Sequence, residues 1–239
     1  MGKYIHYFET ESEFEEMYNG EGYKSPWLSF TEGMGLSYNK DIFNGYDYVD
    51  LGLPSGTLWA TCNVGANSPE ECGNYYAWGE TVPKEDYSNE TYIFGSAQPY
   101  TKYDTDGKTK LEFVDDAARV NMGGLWRLPT PAEAQEFTSY DNVTTTKVVI
   151  NGINCIVFTS DINGNSITIP EGGFFKGTST NNYNATYGLM LSDVNTSDHT
   201  RKYMMTGRHD VNTGMPSVNN LNPRVQGLNV RGVINLSEI

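Results

Sequence analysis

Apolar and polar residues alternate with a period of two in the middle of the chain. Two such runs, residues 147–150 and 153–158, flank the pair Asn151 and Gly152, and a third run at 166–169 follows Asn163 and Gly164. Alternation places successive side chains on opposite faces of a strand, and Asn-Gly is a strong signal for a two-residue hairpin turn. The pattern therefore predicts three consecutive antiparallel strands joined by two tight turns.

Strand patterns also begin and end the larger part of the chain. Residues 48–53 lead into the turn formed by Pro54, Ser55 and Gly56, and residues 57–60 return as a strand. Residues 228–236 are again rich in β-formers, and we expect them to pair with an earlier strand.

Helical signals are few and short. Residues 10–13 and 130–133 match the capping box, in which a Thr is followed three residues later by Glu, and they predict helices that run to about residues 19 and 138. Ser68, followed by Pro69 and two acids, predicts another short helix, and residues 115–120 predict a third short piece, with Asp115 and Asp116 as its N-terminal acids.

Short helices, many strand patterns and a polar, irregular stretch at 82–110 indicate an α+β fold with long loops. Residues 1–45 contain strand patterns only at 3–8 and 27–30 and are too short to fold alone. We therefore expect two parts, an N-terminal attachment or oligomerisation segment at 1–45 and one domain at 46–239.

The charge of the chain excludes some classes of partner. With 16 Lys and Arg against 30 Asp and Glu, the net charge is −14, so a phosphate backbone would be repelled and we expect no nucleic-acid binding. No apolar run approaches the roughly 20 residues that span a bilayer, so we expect no membrane insertion. Residues 1–8 lack the basic and then apolar pattern of a signal peptide.

Catalytic and metal-binding patterns are weak. Cys62 and Cys155 are interpreted as small buried hydrophobic residues, while a bridge between Cys62 and Cys72 is left open. His199 and His209 lie in a polar stretch and are interpreted as solvated loop residues. Residues 104–107 resemble the start of a calcium loop, but Asp-Gly is also a common turn, which we favour. We predict no enzyme activity, no metal and no cofactor.

Five blocks follow one another between residues 48 and 233: YVDLGLPSGTLWATCNVGA (48–66), YYAWGET (75–81), WRLPTPAE (126–133), SITIP (166–170) with the hairpin before it, and VRGV (230–233). In this order they resemble the Fibrobacter succinogenes major paralogous domain family, a branch of the C-type-lectin-like and formylglycine-generating-enzyme-like fold. The resemblance implies a compact domain whose N- and C-terminal strands meet. Trp59, Trp78 and Trp126 are expected in its core, and Arg127 and Arg231 are expected to bind carbonyls or acids inside it.

Proteins diversified by retroelements use this fold, and in them a C-terminal stretch is mutagenised at adenines. Residues 3–45 also look like N-terminal segments of structural proteins from Bacteroides phages. One departure concerns residues 187–192, where many family members have Tyr-Trp-Ser-Ser and this chain has YGLMLS. The missing Trp puts the transfer of individual ligand residues in doubt.

The stretch from Asn181 to Asn229 is rich in Asn, Tyr, Ser and Thr, which is typical of adaptable binding surfaces. Asn also fits adenine-targeted diversification, whereas the plainer interpretation is that Asn and Gly build loops. The side chains that we expect to be exposed and to contact ligand are Met190, Asp193, Asn195, Arg201, Tyr203, His209, Asn212, Asn219, Asn220 and Asn222.

Two functional hypotheses follow. In the first, the chain is a phage or prophage receptor-binding protein in the virion. Residues 1–45 would attach it to the phage tail or to sister subunits, with a homo-oligomer left open, and the C-terminal surface would bind a host-surface protein or glycan. In the second, it is a non-diversified, adhesin-like protein on the surface of a gut bacterium.

Overall fold

The computed structural model describes residues 42–139, 142–208 and 216–235, together with two short strands at 28–29 and 37–38. The chain divides into two compact units, Met1–Tyr48 and Val49–Ile239. The sequence patterns put this division between residues 45 and 46. The strand expected at 3–8 and the helix expected at 10–19 lie outside the described residues.

In the first unit, β1 (Leu28–Ser29) pairs antiparallel with β2 (Ser37–Tyr38), and β1 falls within the strand expected at 27–30. A second pairing joins β3 (Ile42–Phe43) to the start of β4 (Tyr46–Asp50).

Strands dominate the second unit. They are β5 (Leu58–Ala60), β6 (Tyr75–Tyr76), β7 (Val143–Ile150), β8 (Ile153–Ser160), β9 (Ser166–Pro170), β10 (Phe174–Lys176), β11 (Ser179–Asn181), β12 (Thr186–Val194), β13 (Arg201–Arg208), β14 (Ser217–Pro223), β15 (Leu228–Asn229) and β16 (Val233–Ile234). The helices are α1 (Ala117–Met122) and α2 (Pro131–Gln135), with 3-10 turns at Asn89–Thr91, Phe113–Asp115 and Glu136–Thr138. The expectation of few, short helices is confirmed, and the mostly β content is compatible with the expected α+β class.

The largest sheet has the order β14-β13-β12-β15-β6. β12, β13 and β14 form an antiparallel meander, whereas β15 lies parallel to β12 and antiparallel to β6. The C-terminal strand β16 pairs with β5, with Val233 opposite Trp59. The expected pairing of the C-terminal strand segment with earlier strands is therefore confirmed.

The three predicted strands around the Asn-Gly pairs form the sheet β7-β8-β9. Asn151 and Gly152 have φ angles of 51° and 82°, as a type I′ turn requires. The second turn was wrongly predicted as a repeat of the first. Residues 161–165 form a longer loop there, because the side-chain amides of Asn163 and Asn165 both donate to the Asp50 carbonyl.

The helix signals were right at two positions and wrong at a third. Thr130 and Glu133 form the capping box of α2, and the Asp116 side chain caps α1. The helix expected from Ser68 is a single turn. The Cys72 carbonyl accepts amide donors from the Asn63 and Asn229 side chains instead of a helical N–H, so the helix does not continue.

The hydrophobic core lies between α2, the sheet β7-β8-β9 and one face of β12 and β13. Edge-to-face ring contacts connect Trp59 to Phe137 at 4.7 Å, Phe137 to Phe158 at 5.2 Å and Phe158 to Tyr187 at 6.1 Å. Trp59, like Trp78 and Trp126, is at most 1% exposed, so the expectation that these Trp residues form the core is confirmed.

Two fully buried arginines connect the loops to the sheets. Arg231 donates to the Ala60, Thr61 and Thr168 carbonyls and to Asn63, and burial lowers its pKa to about 10. The other buried arginine, Arg224, donates to the carbonyls of Lys102, Tyr103 and His199 and to the Tyr92 hydroxyl, at 3.0–3.3 Å.

Aromatic rings surround the Arg224 guanidinium. Its central carbon lies 4.4 Å from the centroid of the Tyr100 ring and 4.8 Å from that of Trp78, with Tyr92 and Phe94 at 5.5 and 5.7 Å. Cations over aromatic faces are attracted by the ring quadrupole, and the attraction grows when water is excluded. Arg224 therefore fixes the irregular residues 92–103 against the end of β14.

We expect Arg224→Met to lower the free energy of unfolding by at least about 3 kcal/mol, because Met leaves several buried carbonyls without a donor. Urea denaturation measures the change. Lys176→Met, at an exposed position of β10, is the control and should stay within about 0.5 kcal/mol. A loss below about 1 kcal/mol for the Arg224 variant would contradict this role.

A second prediction concerns acid stability. Burial opposes ionisation of Glu133, but hydrogen bonds from Arg127, Thr130 and Thr57 outweigh it and lower the pKa from 4.5 to about 2. A depressed carboxyl pKa stabilises the fold above pH 4.5, and that contribution is lost as the pH falls toward 2. We expect wild type to lose up to about 3 kcal/mol more than Glu133→Gln across this window. Parallel stability curves for the two proteins would refute the prediction.

Candidate functional site

The candidate site is on the face of β12, β13 and β14 that points away from the hydrophobic core. Tyr187, Leu189 and Met205 belong to the core, whereas their neighbours Gly188 and Thr206 line a cleft. The alternation follows from the strand pleat, which turns successive side chains to opposite faces.

The cleft has a volume of about 360 Å³. Residues from two parts of the chain line it: Gly173, Phe174 and Asn182 beside β10 and β11, and Thr186, Tyr187, Gly188, Met204, Thr206, Gly207, Ser217 and Asn222 on the sheet. Clefts of this size that combine apolar surface with a few polar groups are typical of small-ligand sites. None of these lining residues is charged.

Two lining glycines mark points of close approach. A Cβ on Gly207 would lie 2.3 Å from the Tyr187 hydroxyl oxygen, and one on Gly173 would lie 2.1 Å from the Asn181 carbonyl oxygen. Gly173 also has a φ of 63°, a backbone conformation that residues with a side chain rarely adopt. Larger residues at these two positions would move the walls of the cleft.

Buried polar atoms without a hydrogen-bond partner among the described residues are rare, and two of them belong to lining residues. They are the Asn222 Oδ1 atom and the hydroxyl of Tyr187, which stands over its cross-strand neighbour Gly207 on the core face of the sheet. The Asn222 amide nitrogen is used, since it donates to Gln226 at 2.9 Å. Burial raises the pKa of Tyr187 well above its usual value, so its hydroxyl stays protonated and can donate.

Of the ten side chains predicted to contact ligand, Asn222 lines the cleft. Asn219 and Asn220 are half-buried on β14, and the Asn220 amide lies 3.4 Å from the hydroxyl of Tyr203. Tyr203 itself is half-buried and packs against the core.

Two further residues that were predicted to contact ligand form hydrogen bonds within the protein itself. Arg201 forms an ion pair with Asp198 and donates to the Leu221 carbonyl, while half-buried Asp193 accepts from Ser192. Both lie on β12 or β13, outside the cleft lining.

Met190 and Asn195 correct the expectation of exposed contacts. Met190 is fully buried because β12 lies between β13 and β15 and is covered on both faces. Asn195 is 7% exposed, and its side chain accepts from Ser197 and Asp198 and donates to the Asn220 carbonyl. We therefore leave both out of the proposed surface. His209 and Asn212 lie outside the described residues.

Sequence reasoning missed most of the lining. Thr186, Gly188 and Thr206 lie inside the Asn-rich stretch but were not among the predicted contacts, and Phe174 lies before that stretch. The Asn-rich composition drew attention to residues after 181, whereas one wall comes from the segment at 173–182. The signal available there was the pair Gly172 and Gly173 before two Phe residues, since glycine allows close backbone approach.

His199 lies in a loop, as expected, but its side chain is only partly solvated. Its Nδ1 atom lies 2.9 Å from Asp104 Oδ1, and its side chain is 24% exposed. Asp104 and Asp106 accept backbone N–H donors from Tyr100, Tyr103 and Lys108, as turn residues do. In the described part of the chain, no group of three or more His, Cys, Asp or Glu residues is arranged to hold a metal ion.

All three cysteines are free. Cys155 is buried, as expected, but Cys62 is partly exposed, because its strand ends at Ala60. Burial raises the pKa of Cys155 to about 11 and also raises that of Cys72. Both thiols are therefore protonated at neutral pH, and a protonated thiol is a weak nucleophile.

Comparisons of this chain with protein-family models, with curated proteins and with solved structures found no match. In the described residues no helix is both long and apolar enough to cross a membrane.

The unpartnered Tyr187 hydroxyl leads to a stability prediction. Because it has no partner among the described residues, Tyr187→Phe should leave the free energy of unfolding unchanged or raise it by up to about 1 kcal/mol. Urea denaturation of the ligand-free protein measures this. A loss above about 1 kcal/mol would show that the hydroxyl makes a hydrogen bond in the folded protein.

Proposed function

We propose that this chain is a non-enzymatic ligand-binding protein with a C-type-lectin-like fold. The observation that carries the proposal is the cleft of about 360 Å³ on the face of β12–β14. The described residues that line it are uncharged, and most of them belong to the Asn- and Tyr-rich stretch. Burial raises the pKa of the Cys72 and Cys155 thiols, which agrees with a binding role rather than with nucleophilic catalysis by these two cysteines.

The family resemblance is the second support for the fold. The residues that carry it lie where a scaffold needs them: Trp59, Trp78 and Trp126 are buried, and Arg231 joins three backbone carbonyls. The strands at both ends of the domain also meet, since β16 pairs with β5. A scaffold fixed by such contacts can carry a surface that changes.

Within this class, we propose a phage or prophage receptor-binding protein that a retroelement diversifies. Its C-terminal surface would bind a host-surface protein or glycan, and residues 1–45 would join it to the virion or to sister subunits. Half-buried Asn219, Asn220 and Asn222 give β14 side chains that can exchange hydrogen-bond partners, as binding surfaces require. Several modest contacts of this kind gain strength when many copies bind together.

Blocking the cleft tests the proposal. Ser217 is an exposed lining residue, so Ser217→Arg should fold normally while its long charged side chain fills the cleft. We expect at least about a tenfold loss of binding to intact host cells, measured by flow cytometry with labelled protein.

The matched control is Val149→Arg, which adds the same charge at a position of β7 that is 63% exposed. It should bind as wild type does. Equal binding by wild type and both variants would rule out the cleft as the ligand surface, and equal losses in both would assign the effect to charge alone.

A further inference from the structure

The chain contains the tripeptide Ile-Asn-Gly twice, at residues 150–152 and 162–164. Both Asn residues are exposed, and each precedes a glycine, whose missing side chain leaves its backbone nitrogen accessible. In such a pair the glycine nitrogen can attack the carbonyl carbon of the Asn side chain and displace its amide group. Because the two sites share their local sequence, the structure around each site decides how fast it reacts in the folded protein.

The second site is held by hydrogen bonds at every group that reacts. The Gly164 N–H donates to the Ser160 carbonyl at 3.0 Å, so the attacking nitrogen is occupied. Asn163 Oδ1 accepts from the Asn165 N–H at 3.0 Å, and Asn163 Nδ2 donates to the Asp50 carbonyl at 2.9 Å. The Asn163 N–H also donates to the Ser160 hydroxyl. A reaction at this site therefore requires several hydrogen bonds to break together.

The first site has fewer contacts of this kind. In the described part of the chain, neither the Gly152 N–H nor the Asn151 Oδ1 atom has a hydrogen-bond partner. The Asn151 Nδ2 atom donates to a Glu70 oxygen at 2.7 Å, and the Gly152 carbonyl accepts from the Asn184 amide at 3.3 Å. The turn must open before the nitrogen reaches the carbonyl carbon, and an exposed hairpin tip opens at low cost.

We propose that Asn151 is a site of spontaneous deamidation, which modifies the turn between β7 and β8 without an enzyme. The Gly152 nitrogen bonds to the Asn151 Cγ atom and gives up its proton, while the Cγ–Nδ2 bond breaks and the side-chain nitrogen takes up a proton and leaves as ammonia. Water then opens the cyclic imide at either of its carbonyls, which yields aspartate or isoaspartate. Water is the co-reactant, and no group is oxidised or reduced.

The product changes the contact between this turn and the loop that carries Glu70. Hydrogen bonds from its own backbone N–H, from Ser68 and from Asn151 lower the pKa of Glu70. A carboxylate at residue 151 cannot donate such a bond and repels Glu70 instead. Deamidation therefore removes a link between two exposed segments and adds one negative charge. This property is additional to the proposed binding function and does not depend on it.

The test incubates the full chain at mildly alkaline pH and follows both sites by peptide mapping with mass spectrometry. We expect Asn151 to convert at least about tenfold faster than Asn163 in the folded protein, because opening the second site breaks more hydrogen bonds. In urea, where both tripeptides are unfolded, the two rates should agree within about threefold. The comparison separates the effect of the fold from that of the sequence.

A variant tests the consequence for Glu70. Asn151→Asp places the product carboxylate in the turn, and NMR titration should show a higher pKa for Glu70 than in wild type. The pKa of Glu112 is lowered by Lys102 and Lys108, and it serves as the control that should not change.

Equal rates at the two sites in the folded protein, or faster conversion at Asn163, would overturn the inference. Conversion of Asn151 in urea with none in the folded protein would also overturn it, because the turn would then protect the site. An unchanged pKa of Glu70 in Asn151→Asp would contradict the repulsion that the product is expected to cause.

Discussion

The structure of this protein depends on hydrogen bonds to the buried backbone carbonyls of its loops, and two arginines donate many of them. A chain with short helices and long connections folds much irregular backbone into its interior, where an unpaired carbonyl is costly. Arg224 and Arg231 each bind several carbonyls from segments far apart in sequence. The planar guanidinium suits this task because its five N–H donors point outward in fixed directions. The aromatic rings around Arg224 also attract its positive charge, which further fixes the position of the guanidinium.

These contacts support the face of β12–β14 that carries the cleft. Arg224 follows β14 directly and holds the His199 carbonyl, which belongs to the connection between β12 and β13. The core fixes the opposite face of the same strands through Tyr187, Leu189 and Met205. The cleft face is thus supported from behind and at one end. Contacts of this kind leave exposed side chains of that face, such as Ser217, free of a packing role, which the proposed binding function requires.

The sequence was informative where one local rule decides the structure. Asn151 and Gly152 specify their turn through positive φ angles, and Thr130 with Glu133 specifies a helix start. The sequence was not informative where residues far apart in the chain compete for the same backbone group. The side-chain amides of Asn63 and Asn229 donate to the Cys72 carbonyl, so the helix predicted to start at Ser68 ends after one turn. The same difference between local and long-range information applies to the candidate site. Composition pointed to β12–β14, which line the candidate cleft. The face and the depth of each side chain depend on sheet order, however, so Met190 was taken for a contact although it is fully buried.

The proposal that a fixed scaffold carries a changeable face can be tested by sequencing the encoding locus in sibling isolates. We expect substitutions at cleft positions such as Thr206, Ser217 and Asn222, with Leu189 and Arg224 unchanged. We also expect a nearby reverse transcriptase gene and a template repeat that differs from codons 187–231 at adenines. If no repeat is present and residues 187–231 do not vary among isolates, the protein is a fixed-specificity module and the claim of diversification is wrong.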